Sequence, residues 1–311
     1  MPKVSVILPV YQADAYLGRT LRSLFSQTLD DIEYIIVDDA STDRSMEIVD
    51  AILSQYPGRE SQVKIIKHPH NTGVGTARHD GLMQATGEFV IHCDADDWLE
   101  PEAYELMYEM AVDNDADIVV CDFVMEHDNR SSLSRHNTEN RRSDTQQLLD
   151  DILVRRAHAA VWNKMIRRSF ILHHHIDFTK GLRVCEDLMF CLHALICNPG
   201  ISYLQRPLYH YDRNINPNPL SHKKKTYDSS QIRLWLDALD RLPCSRTGSL
   251  YINELTHIAY WTFRHKTLTR TEYRTLFRPH LTKFLRSNQP SYIRYSTALG
   301  AVGLLPAHLF A

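Results

Sequence analysis

Three carboxylates fall within four residues in the stretch His92-Cys93-Asp94-Ala95-Asp96-Asp97-Trp98. Side chains of one sign held this close repel one another unless a cation joins them. Mg2+ or Mn2+ suits such a group, because these ions take one or two carboxylates and keep other positions for substrate phosphates. The plain alternative is an acidic turn leading into the helix near Pro101, and position speaks against it, since the run directly follows the apolar segment Phe89 to Ile91. A second acidic run, Asp38-Asp39-Ala40-Ser41-Thr42-Asp43, follows the apolar Tyr34 to Val37. A carboxylate there can accept from a nucleobase N–H or a ribose hydroxyl, while Ser41 or Thr42 caps the next helix. Asn71-Thr72-Gly73-Val74-Gly75 has the glycines of a phosphate loop, but Arg78 stands where a third glycine belongs. The loop also follows the third strand, which argues against a nicotinamide-binding fingerprint. Arg78 either contacts a diphosphate or lies on a helix surface. Glu186-Asp187, taken by itself, reads as a pair of favourable first-turn acids of a later helix.

These residues are positioned by a regular alternation. Val4 to Leu8, Tyr34 to Val37, Val63 to Ile66, Phe89 to Ile91 and Ile118 to Val120 read as buried strands. Between them lie helices, the first carrying Leu17, Leu21, Leu24 and Phe25 with Asp14 placed as its cap, the second Met46, Val49, Ile52 and Leu53. Continuous apolar strands alternating with helices predict an α/β fold with right-handed crossovers and a mostly parallel central sheet. Ligands of such sheets bind beyond the strands' carboxyl ends. Pro9-Val10-Tyr11, Asp38-Asp39 and Cys93 to Asp97 should therefore meet in one crevice. Residues 126 to 144 are polar and read as a mobile loop. From Thr145 the alternation fades and helical patterns dominate, broken at Asn214 to Pro219.

The chain has 311 residues, 43% hydrophobic and 23% charged, enough for a core without disulfide support. Six cysteines without a C-x-x-C pair read as buried free thiols of a reducing compartment. The N-terminal apolar run is too short for a signal peptide and no segment has the length of a membrane-spanning helix. A cytoplasmic protein is expected. The net charge of −3 offers no broad field for nucleic acid, so no nucleic-acid partner is expected.

The stretches PVYQADAYLGRTLRSLFSQT, VDDASTDRS, NTGVGTARHDGLMQATGEFVIHCDADDW and CEDLMF together resemble family 2 glycosyltransferases with the GT-A (nucleotide-diphospho-sugar transferase) fold. The likeness is dense over about residues 3 to 122 and patchy from 160 to 221. It implies a nucleotide-sugar donor, a UDP-sugar by preference, a Mn2+ or Mg2+ cofactor and inversion at the anomeric carbon. The acceptor it implies is a hydroxyl of a glycan or lipid-linked glycan, as in bacterial surface-polysaccharide synthesis. Matched residue by residue, Pro9, Tyr11 and Asp39 correspond to positions that hold base and ribose, Asp94 to the ribose- or sugar-side acid and Asp96 to the metal ligand, while Val10, Arg78 and Ala95 belong to the nucleotide-sugar site. Asp187 matches the base that takes the acceptor's proton, with Glu186, Asp97, Trp98 and Trp162 as acceptor-binding or supporting groups. The chain departs from the family pattern at Gln12, Ala40 and His79, where Asn, Gly and Asn are common.

The implied layout is a catalytic domain over 1–222, with a nucleotide-binding half at 1–122 and an acceptor-side half at 145–222, then a helical extension over 223–311. Trp98 and Trp162 either stack on sugar faces or pack. His210 and His222 are candidates to complete a metal's coordination, whereas His173-His174-His175 reads as surface. Tyr292 to Ala311 is apolar and either packs back or lies in a membrane interface, helped by Arg294 and Lys223-Lys224-Lys225, which would put the protein on the membrane's inner face. A sugar nucleotidyltransferase and a nucleotide-sugar-binding module without catalysis remain as alternatives. The first would need a Gly-rich, Arg-containing loop where this chain has PVYQADAYLG, and intact Asp96 and Asp187 speak against the second.

Overall fold

In the computed structural model, residues 1–127, 130–134, 145–153, 157–215, 228–244, 248–287, 289 and 291–302 are described. Four parallel strands, β1 (Val4–Val10), β2 (Ile32–Asp38), β3 (Val63–Lys67) and β4 (Phe89–His92), lie in the order β3-β2-β1-β4. Alternate residues of β1 serve opposite faces, as the strand period of two requires. Val4, Val6 and Leu8 pack with Leu21 and Phe25 of α1 (Leu17–Phe25) and Val49 of α2 (Ser45–Leu53). Ile7 packs on the other face with Ala77 and Leu82 of α3 (Val74–Gln84). Each such fully buried aliphatic side chain contributes about 1.5–3 kcal/mol relative to exposure.

The second half extends the same nine-stranded sheet. It adds β5 (Trp98–Leu99), α4 (Ala103–Asp113), β6 (Ile118–His127), β7 (Arg130–Ser134), α5 (Thr145–Leu153), β8 (Lys164–Arg167), α6 (Arg168–His173), α7 (Glu186–Ile196) and β9 (Ile201–Asp212). Strand β8 runs antiparallel between β4 and β6, β9 runs parallel to β6, and β5 pairs antiparallel with β9. Here the structure departs from the pattern reading. The strand read at Ile118 to Val120 runs on to His127 as β6, and β7 occupies part of the segment read as a mobile loop. Strands β8 and β9 lie where helices were expected to dominate. Strand β9 escapes periodicity because Gln205, Arg206 and Pro207 interrupt it, and the ladder shifts register opposite Asp122 and Phe123. A proline donates nothing to a ladder, so such an irregularity is where it can sit.

The C-terminal helices are α8 (Ser229–Arg241), α9 (Ser249–Arg264), α10 (Arg270–Phe277), α11 (Leu281–Arg286) and α12 (Ser291–Val302). Ile232, Trp235 and Leu255 share one core with Leu182, Val184 and Leu188. Gln231 of α8 accepts from the Arg183 N–H and donates to the Gly181 carbonyl. The expected boundary at residue 222, His222, the Lys223–Lys225 run and the tail beyond Val302 lie outside the described residues. Among the described residues, no helix is long and apolar enough to cross a membrane.

Candidate functional site

The three strand exits converge as expected. The Asp39 N–H donates to the Val10 carbonyl at 2.9 Å, and the Cys93 N–H donates to the Ile7 carbonyl at 3.0 Å. Tyr11 stands at the lip, 48% exposed, while the Val10 side chain is buried. The loops after β1 and β2 are stapled together. Ser41 Oγ accepts from the Gln12 N–H, and Gln12 Nε2 donates to Thr42 Oγ1 at 2.7 Å. These hydroxyls therefore join two loops and do not cap α2, whose entry is organised by Asp43 accepting from the Ser45 N–H and Oγ–H. Asp14 likewise caps nothing; its N–H donates to Asp43.

Asp39 is turned inward. Its carboxylate accepts from the N–H and hydroxyl of Thr72 and the N–H of Gly73, and pairs with His68 Nδ1, each at 2.8 Å. It braces the loop before α3. Gly73 has φ +91°, and a Cβ on Gly75 would lie 2.3 Å from the Leu182 carbonyl oxygen. The two glycines thus serve a turn and a close packing contact.

The acidic loop after β4 is held from three sides. Thr20 Oγ1 donates to the Ala95 and Asp97 carbonyls, each at 2.7 Å, and Arg19 Nη2 donates to the Asp96 carbonyl. Asp97 itself is buried, accepting from the Tyr209 hydroxyl at 2.6 Å and the Asp212 N–H at 3.0 Å. The Tyr209 oxygen in turn accepts from the Asp94 N–H. Burial pushes the Asp97 carboxyl well above the usual range, and the charges of Asp96 and Asp94 push it further. The same two charges help raise the Tyr211 hydroxyl, and Asp96 helps lift Tyr16 to about 12, in both cases after burial. Negative potential gathers on this loop, which a cation would relieve.

Arg78, 4% exposed, lies behind the loop. Its Nη2 donates to Asp94 Oδ1 and its Nη1 to Glu186 Oε1, both at 2.7 Å. The fork draws the β4 exit and the first turn of α7 together. Burial and the neighbouring Asp187 charge raise Glu186 to about 7. Burial also raises Asp187, opposed by Arg78 and by the buried ammonium of Lys164. Lys164 donates to the Ala160 and His158 carbonyls and to Asn163 Oδ1, and burial lowers its own pKa.

The two tryptophans part company. Trp162 is 5% exposed and stacks on Tyr209 with centroids 4.3 Å apart, so it packs and presents no face to a sugar. Trp98 is partly exposed, but His210 stacks on it at 3.4 Å and Arg19 lies 6.0 Å from its ring centre. His210 is held between Glu100 (2.9 Å) and Glu126 (3.2 Å), which commits its nitrogens away from Asp96. His173 and His175 are exposed, as expected.

Asp94 and Asp96 are the residues that could hold a metal. Among the described residues, no group of three His, Cys, Asp or Glu side chains is gathered to enclose one. Two carboxylates fit an ion that completes its shell with phosphate oxygens and water. Pattern reading missed Arg19, Thr20 and Tyr209. Only Tyr209 left a trace, in the aromatic run Tyr209-His210-Tyr211.

A parallel half-sheet with acidic exits, joined to a mixed half that brings a second acidic pair to the same crevice, is the arrangement of a GT-A nucleotide-sugar fold. Residues 5–174 match the family described as Glycosyl transferase family 2, and the chain belongs to that family. It is 32% identical over 232 residues to the protein named "Putative glycosyltransferase EpsH" of Bacillus subtilis, across 73% of this chain and 66% of that one, just under two thirds of its length. The fold is shared with S. aureus TarS 1-349 in complex with UDP-GlcNAc: TM-score 0.68, 18% identity, 96% of this chain and 88% of that one. It is shared more distantly with the mannosyltransferase PcManGT of Pyrobaculum calidifontis in complex with GDP-Man and Mn2+, at TM-score 0.51 and 16% identity, over 99% and 82% of the two chains.

Proposed function

We propose that the protein is an inverting glycosyltransferase that moves a sugar from a nucleoside-diphosphate donor, a UDP-sugar by preference, to a hydroxyl of a glycan or lipid-linked glycan. One observation carries the reading: Arg78 bridges Asp94 of the acidic loop and Glu186 beside Asp187, so donor-side and acceptor-side carboxylates share one crevice. UDP-GlcNAc in TarS, and GDP-Man with Mn2+ in PcManGT, support the donor class and the cofactor.

In this mechanism Pro9, Tyr11 and the backbone of Val10 and Ala95 cradle the nucleotide. Asp94 and Asp96 would hold Mn2+ or Mg2+, which would supply charge neutralisation for the leaving diphosphate when bound. Asp187 takes the proton from the acceptor hydroxyl as its oxygen attacks the anomeric carbon, and the donor's glycosidic C–O bond breaks. A raised pKa suits a base that works near neutral pH. Arg78 and Lys164 hold that carboxylate in check, and Glu186 positions Arg78. The six free thiols fit a cytoplasmic setting.

The test is Asp187→Asn, with UDP and Mn2+ binding followed by calorimetry and transfer by mass spectrometry across a panel of nucleotide-sugars. Retained binding with lost transfer is expected. Transfer at the wild-type rate would remove Asp187 from the mechanism, and absent nucleotide binding by the wild type would overturn the reading altogether.

A further inference from the structure

The near-neutral balance of the chain conceals a segregation of charge. Residues 223–311 hold fourteen Lys and Arg against five Asp and Glu, whereas residues 1–222 hold twenty-one against thirty-three. From Tyr273 onward there is no acidic residue, but there are Arg274, Arg278, Lys283, Arg286 and Arg294. The same region exposes apolar surface. Helix α12 turns Ile293, Thr297, Ala298 and Ala301 inward and leaves Tyr292, Tyr295 and Leu299 outward at 63%, 59% and 40% exposure. Their spacing of three and four residues puts them on one helix face. Leu285 of α11 is also exposed, and Arg294 Nη1 lies 3.5 Å from its carbonyl oxygen, so the guanidinium sits where the two helices meet.

We propose that this face of α11 and α12 rests on an anionic lipid bilayer. Tyrosines favour the boundary between headgroups and acyl chains, where the ring is apolar and the hydroxyl is wet. Lysine and arginine beside them are drawn by the negative surface potential, and an acid-free stretch meets no opposing repulsion. The opposite sign of the first 222 residues orients the molecule with its basic end toward the surface. A second copy is a poorer occupant, because a two-fold contact would set the same positive face against itself. The proposal is independent of the transfer chemistry.

The experiment sediments the full-length protein with vesicles of phosphatidylcholine alone and of phosphatidylcholine with phosphatidylglycerol. Binding only to the second is expected, weakening as salt screens the surface. Each charge lost near such a surface weakens binding roughly fivefold, so Arg286→Glu/Arg294→Glu should cost roughly 25-fold or more. Tyr292→Ser/Tyr295→Ser should also weaken it, with circular dichroism and transfer to a soluble acceptor unchanged. Equal binding to both vesicles, binding to neither, or wild-type binding by both variants would overturn the proposal. So would a dimer that the tyrosine pair dissolves, which would assign the face to a second copy.

Discussion

Arg78 Nη1 lies 2.7 Å from Glu186 Oε1 although 108 residues separate them in the chain. Both groups are buried, and the second arm of the guanidinium is taken by Asp94. Two carboxylates are thereby held toward one crevice by a single cation. Removing one member of a buried ion pair leaves the other without compensation, which typically costs about 3–5 kcal/mol. Arg78→Ala is therefore expected to lose stability of that order in urea unfolding and to lose transfer. Arg78→Lys keeps the charge but has no fork to serve both partners, and should recover only part of either. Full transfer by Arg78→Ala would separate the bridge from catalysis.

The charges around Asp187 predict a pH profile. A base must be ionised to take a proton, so with Asp187 as the proposed base transfer should fall as pH drops through the raised Glu186–Asp187 pair, which titrates as a unit. Glu186→Gln removes a neighbouring acid and leaves Arg78 to favour the ionised Asp187, so the acid limb of kcat/KM should move to lower pH. Lys164→Met removes a cation that favours that ionised form, so the limb should move to higher pH. Shifts in the same direction, or none, would count against Asp187 as the base. The same environment affects stability. Glu186 rises from the ordinary 4.5 to about 7 on folding, so its contribution is fully present below 4.5 and is lost as pH rises through about 7.

The parallel half of the fold was legible because Val4 to Val10 and Ile32 to Asp38 are apolar almost without break, as strands covered on both faces must be. The acidic exits followed from the strands. Strands β8 and β9 were not legible, because four residues carry no period and Gln205-Arg206-Pro207 breaks the other. Within the candidate site, residue type singled out Asp94, Asp96 and Asp187 as candidates but could not give the direction in which side chains turn. Asp39 and Asp97 are acids at the right exits, yet both face inward to hold loops. Arg19, Thr20 and Tyr209 do their work through contacts 75 or more residues away, which no local pattern encodes.

Tyr209 joins the acidic loop to the second half of the sheet through one hydroxyl, which donates to Asp97 and accepts from the Asp94 N–H. Tyr209→Phe keeps the stacking on Trp162 but leaves a buried carboxylate and an amide short of a partner, at about 1–3 kcal/mol each. A lower melting temperature is expected and, on the proposed metal site, weaker Mn2+ activation as the acidic loop loses this anchor. Both readouts are needed, since a melting change with unaltered Mn2+ dependence would make Tyr209 purely structural.

Two of the departures from the family pattern fall on strained backbone. Gln12 has φ 50° and Ala40 has φ 62°, the left-handed region that asparagine and glycine tolerate best, and these are the residues common at those places. An alanine there costs about 1–2 kcal/mol. Glycine would relieve that cost but adds about 0.4–1 kcal/mol of unfolded-chain entropy to be lost on folding. Ala40→Gly should therefore stabilise the protein by about 0.5–1 kcal/mol, read as a higher urea midpoint at an unchanged slope. Because Ala40 sits between Asp39 and the Ser41–Gln12 staple, nucleotide binding measured alongside should be unchanged. A loss of stability would mean that the loop draws support from the alanine methyl that outweighs its strain.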